Sequence, residues 1–248
     1  MSLPREWIVP DWPAPPRVRA FVTTRAGGVS AGEYESMNLG GSSGDEEENV
    51  VHNRKIVRSH LPGDPAYLAQ IHGADVVDLD LPREHGRPKA DAAVTARAGN
   101  VAVVLTADCM PIFLADRAGR RVAVAHAGWR GLSGGVVENA LASLRADPAE
   151  VVAWLGPAIG PEIFEVGPEV REAFERDDAG AGEAFRSHKP GKYMADLYTL
   201  ARRRLARAGV RDVHGGGFCT YNESDRFFSY RRVQRSGRMG AFIWIEPR

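Results

Sequence analysis

Apolar and polar residues follow one another along the chain at the spacings of interleaved strands and helices. Residues 18–25 (VRAFVTTR) alternate as a strand does, and apolar runs typical of buried strands occupy 101–105, 121–125 and 151–155. Residues 66–80 (AYLAQIHGADVVDLD) predict two short strands around a glycine turn, and 90–97 fit either a helix or a strand. The pattern favours several short strands that meet in one domain.

Helical periodicity marks the segments between these runs. Residues 44–61 predict a helix with an acidic first turn and a basic last turn, which suits the helix dipole. Further predicted helices cover 132–146, 167–177 and 194–208. The last part of the chain predicts strands at 212–221, 226–232 and 239–246. Interleaved helices and strands that end in a run of strands indicate a layered α/β fold with mixed sheets.

Two segments do not fit this pattern. Residues 1–16 end in the closely spaced Pro10, Pro13, Pro15 and Pro16 and predict an extended lead-in. Residues 26–40 (AGGVSAGEYESMNLG) form a long loop rich in glycine and serine, and long ordered loops tend to carry function. We therefore expect one domain over residues 1–248, with a functional loop near its start.

Composition excludes several classes of protein. The 248 residues are 44% hydrophobic, and 32 basic residues balance 32 acidic ones, so nothing favours nucleic acid as a partner. The one basic cluster, 229–238 (SYRRVQRSGR), predicts a local anion site. Two cysteines cannot build a disulfide framework, and neither a signal peptide nor a membrane-spanning run is evident. These features predict a cytoplasmic protein without nucleic acid or membrane as a partner, and they leave its oligomeric state open.

Three residues that could bind a metal follow predicted strands or turns. His126 and Cys109 follow the runs 121–125 and 101–105, and His72 stands at a turn before a glycine. Ligands commonly bind where strands of α/β sheets end. Two imidazoles and one thiolate suit Zn²⁺ and leave a fourth position for water, which the metal would ionise near neutral pH. Asp108 could orient a ligand imidazole or handle a proton.

Each of these residues also has a structural interpretation. Cys109 could be a buried small hydrophobe or a nucleophile, and His72 could be an ordinary turn residue. Cys219 fits a structural role. Arg130 precedes a predicted helix, where its guanidinium and free backbone N–H groups could hold an anion.

The motifs around these residues resemble the YfiH-like proteins, which are described as multicopper polyphenol oxidases or laccase-domain proteins and as purine nucleoside phosphorylases with adenosine deaminase activity. The matching stretches run in family order over nearly the whole chain: TTRAGGVSAGEYESMNLG, GDEEENVVHNR, QIHGADV, LTADCMPI, AHAGWRG, GPAIGP with FEVG, DLYTLARRRL, and FCTY with FFSYRRVQRSGRMGAFIWI. The resemblance implies a layered α/β/β/α fold and metal ligands at His72, Cys109 and His126. One departure is that Glu162 and Ile163 follow Pro161, where family members often carry cysteines.

The resemblance also implies a reaction: phosphorolysis of adenosine, inosine and methylthioadenosine to free base and ribose 1-phosphate, together with deamination of adenosine. Cys109, Asp108 and His126 are then the expected catalytic residues, with Zn²⁺ as the metal and Cu²⁺ as the alternative. The candidates for phosphate are Arg25, Arg130, and Arg231 or Arg232, and the candidates for ribose or base are Asn38 and Gln70.

Three other functions remain open at this stage. Cys109 with His126 or His72 as its base would make a cysteine hydrolase, and some relatives are linked to editing of peptidoglycan precursors. A copper-dependent polyphenol oxidase would use the same donor set. Conventional laccases also need paired histidines in H-x-H motifs, and none of the seven histidines is in such a motif. A structural metal site in a binding protein is the non-enzymatic alternative.

Overall fold

Strands make up the centre of the protein, and helices cover it on two sides. The computed structural model describes residues 3–82 and 86–247, and within these it contains thirteen strands and five α-helices. The strands are β1 (Val18–Val22), β2 (Pro65–Ala66), β3 (Val76–Asp78), β4 (Ala92–Thr95), β5 (Val101–Thr106), β6 (Met110–Asp116), β7 (Val122–Ala127), β8 (Val151–Leu155), β9 (Glu165–Val166), β10 (Phe185–Lys189), β11 (Lys192–Ala195), β12 (Asp212–Gly215) and β13 (Met239–Ile245). The helices are α1 (Glu47–Arg58), α2 (Trp129–Ser133), α3 (Val136–Leu144), α4 (Pro168–Glu175) and α5 (Leu197–Arg207).

Two mixed sheets carry most of these strands. One has the order β1-β13-β5-β2, in which β13 pairs antiparallel with both β1 and β5 while β2 joins β5 in parallel. The other has the order β12-β8-β6-β7-β4-β3, with antiparallel pairs at its centre and a parallel pair at each edge. A small third sheet has the order β10-β11-β9.

Side-chain alternation divides the apolar residues into three buried layers. In β5, Val104 faces the space between the two large sheets and Val103 faces the side covered by α1. In β6, Phe113 faces the same inter-sheet space and Ile112 faces the layer of α3, α4 and α5. Successive side chains of a strand point to opposite faces of its sheet. The apolar strands therefore pack against the other sheet on one face and against helices on the other, which gives helix, sheet, sheet and helix layers. The predicted α/β/β/α fold is confirmed.

Most predicted elements are present, and three predictions need correction. The predicted helix 132–146 is broken at Gly134 and Gly135, where Gly135 has a φ of 94°, so that α2 and α3 are separate. The predicted strand 226–232 is wrong: Phe227 and Phe228 are buried between the sheets, but their segment has no regular structure. His126 lies inside β7 and does not follow it.

Other segments are shorter or simpler than the sequence predicts. Residues 90–97 contain the strand β4, and only 212–215 of the predicted strand 212–221 pair in a sheet. In the lead-in, Ile8 forms an isolated antiparallel bridge with Val22, and residues 1 and 2 lie outside the described part of the chain. Among the described residues, no helix has the length and apolar character needed to cross a membrane.

Candidate active site

His126 is held in place by its strand and by a buried carboxylate. Its position in β7 puts its side chain on the same face as Val122 and Val124, toward the space between the sheets. The Nδ1 atom of His126 lies 2.8 Å from Oδ1 of Asp91, a fully buried residue just before β4. Because Asp91 engages Nδ1, the Nε2 atom is left for a metal or another partner.

Cys109 lies where the chain crosses from one large sheet to the other. The segment 107–109 joins β5 of the four-stranded sheet to β6 of the six-stranded sheet. Asp108 has a φ of 86°, an uncommon value for a residue with a side chain. Its carboxylate accepts hydrogen bonds from the Thr220 hydroxyl at 2.6 Å and the Arg231 backbone N–H at 2.7 Å. These contacts stabilise the turn that presents Cys109.

His72 is presented by a loop that wraps around the same buried carboxylate. Asp91 accepts hydrogen bonds from the backbone N–H groups of Ile71, His72 and Gly73, at 2.8–3.0 Å. His72 has a φ of 60° and is exposed. Burial would raise the pKa of Asp91, but its hydrogen bonds to His126 and to the loop N–H groups keep that pKa below its ordinary value.

The three predicted ligands come together at this point. One side-chain donor atom from each of His72, Cys109 and His126 lies within 4.8 Å of the other two. The two imidazole rings are 4.9 Å apart and almost perpendicular. Two ring nitrogens and a sulfur suit Zn²⁺ or copper. Within residues 3–82 and 86–247, no fourth His, Cys, Asp or Glu joins this group, and His72 opens it to solvent.

Electrostatic coupling makes Cys109 and His126 an ion pair when no metal is bound. Burial alone would raise the pKa of the Cys109 thiol, but the His126 charge and hydrogen bonds from both histidines lower it to about 6. Burial alone would lower the pKa of His126, but the Cys109 thiolate and the bond to Asp91 raise it to about 9. A thiolate is the form of cysteine that binds metals and attacks carbon.

Two glycines of the AHAGWRG motif make room for this group. A Cβ atom on Gly128 would lie 2.7 Å from the Cys109 sulfur, and one on Gly131 would lie 2.8 Å from the Gly73 carbonyl oxygen. Both distances are too short for real contacts. The motif therefore lets the turn after β7 pack directly against the other two ligand segments.

The ligand group opens into a cavity of about 720 Å³. Its walls come from the cysteine turn, the histidine loop, a glycine–serine segment and the chain near 230. The lining residues are Gly40, Gly41, Ser42, Ser43, Leu68, Ala69, Gln70, His72, Arg87, Leu105, Ala107, Asp108, Cys109, His126, Ile159, Phe164, Tyr230, Arg231 and Arg238. This size is typical of sites for small molecules.

The predicted phosphate-binding arginines separate into two groups. Arg231 lines the cavity, where it stacks over Phe164. Arg25 lies in a different, smaller pocket and donates to the carbonyls of Glu35 and Ser224. Arg130 is exposed and stacks on Trp129, outside the cavity lining.

Arg232 also has a structural environment. Its guanidinium donates to the backbone carbonyls of Thr220, Tyr221 and Phe227. The predicted local anion site in 229–238 thus has two cavity-lining arginines, Arg231 and Arg238.

The two predicted ribose or base contacts, Asn38 and Gln70, bind the protein itself. The Gln70 amide borders the cavity but exchanges two hydrogen bonds with the Leu105 backbone, at 2.7 and 2.8 Å. Asn38 is fully buried: its nitrogen donates to Ser43 and Asp45, and its oxygen accepts from the N–H groups of Gly40 and Arg238. In this arrangement Asn38 stabilises the glycine–serine wall.

Cys219 has the structural environment expected from the sequence. Its sulfur accepts hydrogen bonds from the N–H groups of Gly160 and Asn222, and a Cβ on Gly160 would lie 2.9 Å from that sulfur. It does not belong to the metal-binding group.

Sequence reasoning missed Asp91, Arg87 and Arg238 as individual residues. An aspartate directly before the run AAVT was the available signal for Asp91, but nothing in the sequence pairs it with a histidine 35 positions later. Arg238 lay inside the basic cluster, whereas Arg87 lies among loop residues without a motif.

Comparison with known proteins places the chain among relatives over nearly its full length. A family model described as multi-copper polyphenol oxidoreductase laccase matches residues 19–246. The chain is 50% identical over 241 residues to a purine nucleoside phosphorylase of Pseudomonas aeruginosa, covering 97% of this chain and 98% of that protein. It is also 50% identical over 240 residues to purine nucleoside phosphorylase YfiH of Escherichia coli, covering 96% and 98%.

Solved structures show the same similarity. A Neisseria meningitidis protein superposes with a TM-score of 0.92 at 47% identity and covers 98% of this chain and 100% of its own. YlmD from Geobacillus stearothermophilus superposes with a TM-score of 0.88 at 29% identity, covering 100% of this chain and 98% of its own.

Proposed function

The chain belongs to the multi-copper polyphenol oxidoreductase laccase family, the YfiH-like proteins, and on that basis we propose that it is a purine nucleoside phosphorylase. It would convert adenosine, inosine and methylthioadenosine with inorganic phosphate into free base and ribose 1-phosphate, and would also deaminate adenosine. The names of relatives at 50% identity support the reaction class. The observation that carries the proposal is the group of His72, Cys109 and His126 at the wall of a cavity that also holds arginines.

The three ligand residues are proposed to hold Zn²⁺. Bound there, the metal would supply a Lewis acid and a water of lowered pKa for the purine chemistry. Asp91 fixes the orientation of His126, and its N–H contacts fix the His72 loop. We prefer zinc to copper because oxygen-reducing laccases need further histidine-rich copper sites. Among the described residues, His72, Cys109 and His126 form the one group that could hold a metal.

The remaining cavity residues are proposed to supply the charges that phosphorolysis needs. In phosphorolysis the bond from ribose C1′ to the base nitrogen breaks, a phosphate oxygen bonds to C1′, and the base leaves with the electron pair and takes a proton. Asp108, which lines the cavity, is the proposed residue for stabilising the ribosyl cation and for moving a proton in deamination. Positive side chains along the cavity would hold the phosphate.

The test is a product assay on the purified, metal-analysed protein. Adenosine, inosine and methylthioadenosine are incubated with and without inorganic phosphate, and bases, ribose 1-phosphate and inosine are separated by chromatography. We expect phosphate-dependent release of base, inosine from adenosine without phosphate, and about one zinc per three-ligand site. Cys109→Ala should lose both metal and turnover, while Cys219→Ala should retain the metal. Absence of phosphate-dependent base release in zinc-loaded protein would refute the proposal.

A cysteine hydrolase is the second candidate, and one observation favours it. Asp91, His126 and Cys109 form a carboxylate–imidazole–thiol chain like that of cysteine hydrolases. Iodoacetamide separates the two candidates: a metal-bound thiolate should react only after a chelator is added, whereas a free nucleophile in the protein as isolated should react immediately.

A further inference from the structure

Two consecutive glycines of the cavity wall lie against arginines from different parts of the chain. A Cβ on Gly40 would lie 2.7 Å from Cγ of Arg238. A Cβ on Gly41 would lie 3.5 Å from an Nη atom of Arg87 and 3.5 Å from one of Arg54. A side chain at position 40 would overlap the Arg238 side chain, whereas position 41 lies in ordinary contact with the guanidinium groups of Arg54 and Arg87.

The same segment carries unpaired backbone donors at the cavity wall. Asn38 binds the Gly40 N–H, and the Ser43 N–H and hydroxyl both bind the Gly40 carbonyl, so the turn is fixed at both ends. Across residues 3–82 and 86–247, the backbone N–H groups of Gly41 and Ser42 have no hydrogen-bond partner. Both residues are exposed and line the cavity.

Arg87 lies beside these N–H groups and could bind the same ligand. It is exposed, lines the cavity, and forms neither a hydrogen bond nor an ion pair with any other described residue. Arg238 uses one Nη atom to bind the carbonyls of Ser236 and Gly237, which fixes the direction of its side chain. In the described part of the chain, Arg54, Arg87 and Arg238 have no carboxylate partner within ion-pair distance.

Among residues 3–82 and 86–247, the arginines around Gly41 have no acidic partner within ion-pair distance, so the charge here is positive. Arg54 donates twice to the Leu39 carbonyl and stacks on Tyr67, so it stays beside the segment. Burial lowers the pKa of Arg54, the Tyr67 hydroxyl opposes this change, and the charge of Arg87 lowers the pKa further. An anion placed at Gly41 would relieve this repulsion.

The other end of the positive region reaches the ligand group. Arg238 lines the same cavity as the ligand residues His72, Cys109 and His126. An anion between Arg87 and Arg238 would consequently lie in the same cavity as the metal ligands.

We propose that Arg87, Arg238 and the backbone N–H groups of Gly41 and Ser42 form the phosphate subsite of this cavity, with inorganic phosphate as the ligand. The proposal rests on the proposed phosphorolysis and assigns its second substrate to the 40–43 segment. A tetrahedral oxyanion suits the combination of fork-shaped guanidinium donors and adjacent backbone N–H groups. Arg25 and Arg130 then have no part in phosphate binding.

The test compares Arg87→Ala with Arg130→Ala, an exposed arginine outside the cavity. Binding of inorganic phosphate is measured by calorimetry on the metal-loaded protein, and KM values for phosphate and inosine are measured separately. We expect Arg87→Ala to weaken phosphate binding and raise the phosphate KM about tenfold or more, with a change of less than about threefold in the inosine KM. Arg87→Lys should recover part of the loss, and Arg130→Ala should match the original protein.

The outcomes separate the subsite from the function. Arg87-dependent phosphate binding without any phosphorolysis would support the anion site and refute the proposed function. Phosphorolysis with an unchanged phosphate KM in Arg87→Ala would overturn the subsite alone. Arg87-dependent binding of inosine 5′-monophosphate without binding of inorganic phosphate would also overturn it, because the site would then hold the phosphate of a nucleotide. Thermal unfolding without phosphate should be unchanged in Arg87→Ala, since this exposed side chain has no partner among the described residues.

Discussion

Asp91 joins two of the three metal-binding residues through a single carboxylate. Its Oδ1 atom lies 2.8 Å from Nδ1 of His126 and accepts the backbone N–H of His72 at 2.9 Å. The Oδ2 atom accepts the N–H groups on either side of His72. A change in this carboxylate should therefore alter two ligands together.

Asp91→Asn should lower metal affinity about 10- to 100-fold, as loss of a partner behind a ligand histidine usually does. An amide has one acceptor oxygen instead of two, so either the imidazole or part of the loop loses its bond. The lost bonds to this buried group should also cost about 1–3 kcal/mol of unfolding free energy. Competition with a chelator measures the affinity, and denaturant unfolding of the metal-free protein measures the stability.

Asp80→Asn is the matched control. Asp80 also accepts several hydrogen bonds, from Thr95, Ala96 and Asn100, but it has no contact with the ligand group. It should lose stability and keep its metal affinity. Equal metal affinity in the two variants would contradict the role given to Asp91.

Much of the layered fold could be predicted because strands at the centre of its two large sheets are largely apolar. Residues 101–104 and 151–155 are buried on both faces, and such apolar runs stand out without any tertiary information. The segment 226–232 misled prediction because its phenylalanines fill the space between the sheets without pairing as a strand. Large apolar residues are found at buried positions whether or not the backbone there forms a strand.

The ligand group could be predicted from residue type, whereas its supporting residues could not. His72, Cys109 and His126 have side chains that bind soft metals, so each is conspicuous in the sequence. The role of Asp91 depends on the parallel pairing of β3 with β4 and the antiparallel pairing of β4 with β7, both of which are tertiary facts. Asn38 and Gln70 were conspicuous as polar residues that could contact a substrate, but their side chains form hydrogen bonds with the protein backbone instead.

Gly128→Ala should displace the Cys109 sulfur. The new Cβ would lie 2.7 Å from that atom, and relieving the overlap should cost about 1–3 kcal/mol of stability. We expect metal affinity to fall by about tenfold or more, because ligand distances are tightly constrained. In Gly73→Ala the nearest atom would be 3.5 Å away, an ordinary contact, so this variant should keep its metal. Metal content after dialysis measures both variants, and full metal content in Gly128→Ala would contradict the packing argument.

Asn53→Ala should loosen the glycine-rich loop from α1. The Asn53 side chain is fully buried and donates to the Ser30 hydroxyl and to the carbonyls of Ser36 and Asn38, while its oxygen accepts the Val29 N–H. Leaving these groups unpaired should cost about 1–3 kcal/mol. The same change should raise substrate KM, because the loop leads into the cavity wall.

His52→Ala provides the comparison on the same helix. His52 is exposed and should change neither unfolding nor KM. If Asn53→Ala unfolded at the same denaturant concentration as His52→Ala, the loop would not depend on this side chain.

Alkylation of the metal-free protein should show the lowered pKa of Cys109. In a Cys219→Ala background, Cys109 is the remaining thiol. The His126 charge and hydrogen bonds from both histidines outweigh burial and bring the pKa of the Cys109 thiol to about 6. The rate of reaction with iodoacetamide should therefore rise with pH, reach half its plateau near pH 6 and be nearly maximal at pH 7.

The control variant His126→Gln removes the positive charge, so the pH of its half-maximal rate should move upward by more than one unit. A midpoint above pH 8 in the protein with His126 would show that the two side chains do not form the ion pair. Added Zn²⁺ should suppress the reaction at every pH, since the thiolate is then engaged as a ligand.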